Sequence, residues 1–218
     1  MTTVFISGSI KIRHVHTDVQ VRIMNILSME YDVIVGDADG ADSAIQQFLF
    51  DRGARKVTVY CTGDKPRNNI GGWPVRHVTS YHPKGSRAYF SAKDVAMAAA
   101  ADLGLMVWDC MSTGTLSNVI ELLGRGRKSL VFHNEEKQFH KILSVGDLQM
   151  LIGRMADAAR LKADTKIDLV SRVAHLQSRA LQDEILAARA AQPRFRAGQH
   201  GGNSLPQDVP LELDPTTS

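Results

Sequence analysis

The chain carries little that would mark it as secreted, membrane-bound or built for polyanions. Its 218 residues include two cysteines, Cys61 and Cys110. That is too few for a disulfide framework and lacks metal-ligand spacing, a usage that points to a reducing cytosol. No apolar run approaches the roughly 20 residues that a bilayer span needs. The opening Met-Thr-Thr-Val-Phe-Ile-Ser-Gly has no basic region followed by a long apolar stretch. The expectation is a cytoplasmic protein with no membrane partner. A net charge of +3 is too small to argue for nucleic acid, and the arginines are scattered or gathered in the C-terminal third. No internal repeat is present. A composition of 44% hydrophobic and 22% charged residues is that of a soluble globular domain with one ordinary core.

What the chain does carry is an alternation of short β-rich runs with amphipathic stretches, the pattern of a parallel sheet covered by helices. Strands are predicted at Val4 to Ser7, Val33 to Val35, Lys56 to Tyr60, Gly104 to Trp108 and Ser129 to Phe132. Helices are predicted at about Thr17 to Met29, Asp42 to Asp51, Tyr89 to Ala101 and Leu116 to Leu123. The run Ala96 to Ala101 has high helix propensity and small side chains suited to close packing on a sheet. The stretch Thr62 to Ser86 breaks this rhythm with Gly, Pro, Asn and Arg around an apolar fragment at Val75 to Val78. Loops of that length are usually functional.

From Ser144 the texture becomes helical, with Leu148, Leu151, Ile152 and Met155 three or four apart, then a second periodic stretch from Ile167 to Ile185. These helices either cap the sheet or pair with a partner chain. The reading is thus an α/β domain over 1–143, with a sheet of about five or more strands flanked by helices, a helical extension over 144–191 and a disordered tail over 192–218.

Two polar turns stand where strands hand over to helices. Asp109-Cys110-Met111-Ser112-Thr113-Gly114-Thr115 follows the apolar run Leu105 to Trp108. Unpaired amides and the positive end of a helix dipole converge there, and Gly114 leaves room for a phosphate to approach. Gly36-Asp37-Ala38-Asp39-Gly40-Ala41-Asp42 is a second turn of the same kind. Its carboxylates invite a metal reading, but the spacing does not match an EF-hand loop and no metal site is assigned. A Mg2+ ion accompanying a nucleotide is the one cofactor allowed for. His14, His16, His77 and His82 fall in loops near strand ends, without zinc-site spacing, and none is given a catalytic role.

Three of these segments, Phe5-Ile6-Ser7-Gly8-Ser9, Val35 to Asp42 and Ser112-Thr113-Gly114-Thr115, taken in order after successive strands, resemble the superfamily that joins LOG-type phosphoribohydrolases, the DNA-processing protein A fold and SLOG nucleotide-sensing domains. The resemblance runs to about Phe132. It implies a Rossmann-like parallel sheet binding a nucleotide or nucleotide derivative, of the ADP-ribose, NAD or nucleoside phosphate class, across the carboxyl ends of its strands. It places Gly8, Ser9, Asp109, Ser112, Thr113, Gly114, Thr115 and Asn118 in the binding site. It implies too that Gly40 permits a tight turn, that Asp42 caps the next helix, and that Asp37 or Asp39 receives ribose hydroxyls. In hydrolase members of this superfamily a glutamate follows the phosphate turn, and the matching residue here is Asn118. An amide cannot serve as general base or nucleophile at neutral pH. Glu121, one helical turn on, is the candidate catalytic substitute, or else an exposed helix glutamate.

On the long loop, Arg67 could clamp a phosphate while Asn69 and Trp73 meet the ligand, the indole stacking on a base. Solvation of Arg67 and a packing role for Trp73 are the alternatives. One of the cations Arg87 and Lys93 could enter the same cleft, and Trp108 reads as core. Three functions follow: a nucleotide-binding module; an N-glycoside hydrolase or transferase on nucleoside monophosphates using Glu121 or one of Asp37, Asp39 and Asp109; or an oligomeric interaction unit whose helices after Ser144 pair between chains.

Overall fold

Seven strands form one sheet in the order β4-β3-β2-β1-β5-β6-β7. The computed structural model describes residues 1–191; the tail expected over 192–218 lies outside the described residues. The first three strands are β1 (Thr3–Gly8), β2 (Asp32–Gly36) and β3 (Val57–Thr62), followed by β4 (Val75–Val78), β5 (Leu103–Trp108), β6 (Lys128–His133) and β7 (Gln138–Ile142). Every neighbouring pair is parallel except β6 with β7. The fold is Rossmann-like α/β.

The central strands are near-continuous apolar runs because both faces are covered. Alternate side chains serve opposite faces. Val4 and Ile6 pack with Val19 and Ile23 of α1 (Thr17–Ser28) and with Ile45 and Leu49 of α2 (Ala41–Asp51). On the other face Phe5 joins Met97 and Ala98 of α3 (Arg87–Ala100) and Leu116 and Val119 of α4 (Thr113–Gly124).

The C-terminal helices α5 (Val145–Gly153), α6 (Asp157–Ile167) and α7 (Leu169–Ala191) join this second face. Leu148, Leu151, Met155, Ala163, Val173 and Leu176 belong to the same apolar cluster as α3 and α4. From Gln177 onward α7 is exposed.

Three elements depart from expectation. The fragment Val75 to Val78 inside the long loop is a strand, pairing with β3 from Val59↔Val75 to Thr62↔Val78. As an edge strand it buries little, so its apolar signal is weak. β7 is a half-exposed hairpin partner of β6 with polar Gln138, His140 and Lys141, and so has no apolar run to show. α6 buries only Ala159, Ala163 and Ile167, a stripe too small-sided to read as amphipathic.

Candidate functional site

β1 sits in the middle, with β2 on one side and β5 on the other. The chain leaves β1 toward α1 on one face and leaves β5 toward α4 on the opposite face, so the loops part at their carboxyl ends. That is the switch point where open α/β sheets take ligands.

Ser9, fully buried just past β1, ties the rim together. Its hydroxyl donates to Asp109 Oδ1 at 2.9 Å, accepts from the Asp109 amide at 3.1 Å and lies 3.4 Å from Thr115 Oγ1. Its carbonyl accepts from the Ala41 amide at 3.3 Å. Both glycine turns therefore stand on the same rim.

The glycines serve the chain's own packing. A Cβ on Gly8 would stand 2.5 Å from the Val107 carbonyl oxygen, and one on Gly40 would stand 2.0 Å from the Ile10 carbonyl oxygen. Gly40 also has φ +79°, a conformation glycine takes without strain. Gly114 differs: the nearest atom to an added Cβ is 3.9 Å away.

At the turn after β5, Asp109 Oδ1 accepts from the amides of Met111 at 3.0 Å and Ser112 at 2.7 Å. Ser112 caps α4, accepting from the Thr115 amide and, at 3.0 Å, from Thr115 Oγ1. A carboxylate of the chain thus occupies part of the anion position expected for phosphate. Among the described residues, the amides of Thr113 and Gly114 have no hydrogen-bond partner. Asn118 is buried on the next turn of α4, and Trp108 is core, its Nε1 donating to the Ser112 carbonyl. Cys110 takes φ +56° here.

The turn after β2 is closed instead. Asp37 is held by Arg67 through its amide at 3.0 Å, Nε at 3.2 Å and Nη2 at 2.8 Å. Lys93 is buried among Asp94 at 2.8 Å, Asp37 at 3.8 Å and Asp42 at 3.9 Å. Burial pushes the Asp37 carboxyl up, but its Arg67 hydrogen bonds and the Lys93 charge outweigh this and hold it below its ordinary pKa. Deeper burial wins for Asp42, whose carboxyl is held above its ordinary value despite Lys93. For Lys93 burial is overcome by the Asp94 and Asp42 carboxylates, which raise it.

Asp42 does not cap α2: its Oδ1 accepts from Ser7 Oγ at 3.0 Å, back at the end of β1, and α2 has no side-chain cap. The Arg67 fork is engaged by Asp37, its guanidinium 4.9 Å from the centre of the Phe90 ring. Asp39 accepts from Asn68 Nδ2 at 3.0 Å. Trp73 is 8% exposed, packs in the α1–α2 core and donates from Nε1 to the Ala54 carbonyl, so it is a packing anchor with no face for a base. Asn69 holds that indole's backbone on both sides. Glu121 lies near the far end of α4, paired with Arg125 and with Arg172 of α7. It is not brought to the rim.

The rim opens between these loops into a cavity of about 430 Å3, lined among others by Lys11, Arg13 and His14 after β1, Asp109 after β5, and Glu135 and Lys137 after β6. His16 stacks on Phe132 at its edge. No motif marked Lys11, Arg13 or Lys137, because exposed cations in loops look alike until the loops converge. Also unforeseen is Cys110 Sγ, 2.6 Å from Nε2 of buried His133. His133 Nδ1 accepts from the Glu136 amide, which leaves Nε2 to face the sulfur. Burial, then Glu135, Glu136 and Asp109, push the thiol up to about 12. It is a neutral thiol, not an activated nucleophile.

No family model, curated protein or solved structure matches this chain. Among the described residues, no group of three or more His, Cys, Asp or Glu side chains is placed to hold a metal, and no helix is long and apolar enough to cross a membrane.

Proposed function

We propose that the chain is a SLOG-like binding module that takes a nucleotide or nucleotide derivative, of the ADP-ribose, NAD or nucleoside phosphate class, in the crevice between the loops after β1, β5 and β6. The observation that carries this reading is a cavity of about 430 Å3 at the switch point, bordered by Lys11, Arg13 and Lys137 and by the turn that opens α4. Its volume falls within the range of small-molecule sites. The phosphates meet those cations beside the turn that opens α4, which borders the cavity at Asp109 and Met111 and whose Met111 and Ser112 amides Asp109 already holds. A Mg2+ ion is an accompaniment of the nucleotide in this reading, and the cytoplasm, where such ligands abound, is the compartment.

The hydrolase reading has less support. Glu121 is neutralised by two arginines, Asp37 is clamped by Arg67, and Asn118 stands where the superfamily's glutamate is expected. Self-association is a second reading, favoured by Leu181 and Ile185, which are 59% and 45% exposed on the outer half of α7. Sedimentation of the full chain against Leu181→Asp tests it: an unchanged mass removes α7 from any interface.

A thermal-shift screen against nucleotides tests the primary reading. A ligand at a hundredfold excess over its Kd adds about 2.7 kcal/mol of apparent stability. The shift should be lost in Lys11→Gln/Arg13→Gln. A panel of nucleotides with no effect, or an effect indifferent to that pair, would sink the proposal.

A further inference from the structure

Between α4 and the first half of α7 lies a cavity of about 420 Å3, lined by Arg125, Arg172, His175 and Arg179 over a floor of Ile120 and Leu176. Glu121 is the one carboxylate in its wall. Its Oε1 accepts from Arg172 Nη2 at 2.8 Å while Oε2 pairs with Arg125. Arg172 Nη1 donates to Ser117 Oγ at 2.8 Å, and Arg179 Nη1 donates to the Gly124 carbonyl at 3.0 Å. Among the described residues Arg179 has no carboxylate partner. Among the lining residues one carboxylate therefore faces three guanidinium groups.

Cations beside the last carbonyls of a helix are favourable, which accounts for Arg125 and Arg179 each taken alone. It does not account for a concave site that gathers three of them around a single shared carboxylate. Each guanidinium has five N–H donors, so most remain available. Burial depresses the Arg172 pKa, and the nearby Arg87 and Arg125 cations add to this against the pull of Glu121 and Asp168. An entering anion would relieve that crowding.

We propose that this cavity is a second ligand site, taking the phosphate or pyrophosphate group of a small phosphorylated molecule. Guanidinium forks match phosphate oxygens two at a time, and the volume is that of a small-ligand pocket. α4 has 12 residues and so runs about 18 Å from the rim turn to this end, which makes the site distinct from the crevice and independent of the reading given to it.

The test is calorimetric titration of the full chain with pyrophosphate and with inorganic phosphate at a constant ionic strength of about 0.15 M, where diffuse attraction by exposed charges is screened beyond about 8 Å. Saturable binding is expected. Arg125→Gln/Arg179→Gln, which leaves the Arg172–Glu121 pair in place, should weaken it by about tenfold or more. Lys11→Gln/Arg13→Gln removes cations of the crevice, and the binding component that depends on Arg125 and Arg179 should remain unchanged in it. In the unsubstituted chain the imidazole resonances of His175 should move with the titration, a readout that does not depend on any variant folding. No saturable response, unmoved His175 resonances, no loss of a binding component in the arginine pair, or loss of that same component in the Lys11 and Arg13 pair would each overturn the proposal.

Discussion

The turns after β2 and β5 are alike in composition, and both stand on the carboxyl rim, yet one is closed and the other borders an open crevice. The difference comes from what the rest of the chain presents to each. Opposite the Asp37 turn, the loop after β3 supplies Arg67 and Asn68, α3 supplies Lys93, and the result is a buried network of alternating charge. Opposite the Asp109 turn stand the loops after β1 and β6, which leave a cavity open between them. A polar, glycine-bearing turn is thus a permit for a site. Whether the permit is used depends on the neighbouring loops.

The comparison breaks most visibly at Lys93. Lys93→Met should leave Asp37, Asp42 and Asp94 without their common buried cation. Removing one partner from such a group costs about 3–5 kcal/mol, to be read from urea denaturation; a loss under about 1 kcal/mol would mean the network does not hold this turn closed.

Next in size is the contrast between glycines. Gly40→Ala forces a Cβ to within 2.0 Å of the Ile10 carbonyl oxygen at positive φ, and should cost roughly 2–3 kcal/mol. Gly114→Ala meets nothing closer than 3.9 Å and should change stability by less than about 0.5 kcal/mol. Equal losses at the two positions would erase the distinction between a packing glycine and an open one.

The carboxylates sharpen the comparison through pH. Asp37 has its folded pKa lowered, so its contribution is present above the unfolded value of 3.8 and is lost as pH falls through the folded value. Asp42 has its folded pKa raised, so its term runs the other way: greatest below 3.8 and lost as pH climbs toward the folded value. Asp37→Asn should therefore cost about 1–2 kcal/mol at neutral pH through its hydrogen bonds with Arg67. It should also flatten the acid limb of stability below pH 3.8. An acid limb as steep as in the unsubstituted chain would place the titrating group elsewhere. The smallest effect belongs to the open side, where Lys11→Gln/Arg13→Gln should leave the denaturation midpoint within about 0.5 kcal/mol while abolishing any nucleotide-dependent shift.

Much of the architecture was legible residue by residue. The apolar runs at Val4, Val33, Val57, Leu105 and Val131 are local statements about burial on two faces, and all five are central strands. The helices announced themselves by periodicity. β4, β7 and α6 did not, because an edge strand, a half-exposed hairpin arm and an alanine-faced helix bury too little to pattern the sequence. At the site, the two turns and Ser9 were visible, whereas the partners that decide their chemistry were not.

The sequence by itself determined a parallel α/β sheet with polar turns after β1, β2 and β5, since backbone preference and the spacing of apolar side chains act within a few residues. Tertiary structure alone decided that Arg67 would silence Asp37 from 30 positions away, that Trp73 would be core, that Glu121 would face Arg172 instead of the rim, and that Lys11, Arg13 and Lys137 would meet around one cavity. The reason is that a charge acts according to its burial and its neighbours, and both are settled only when distant segments meet.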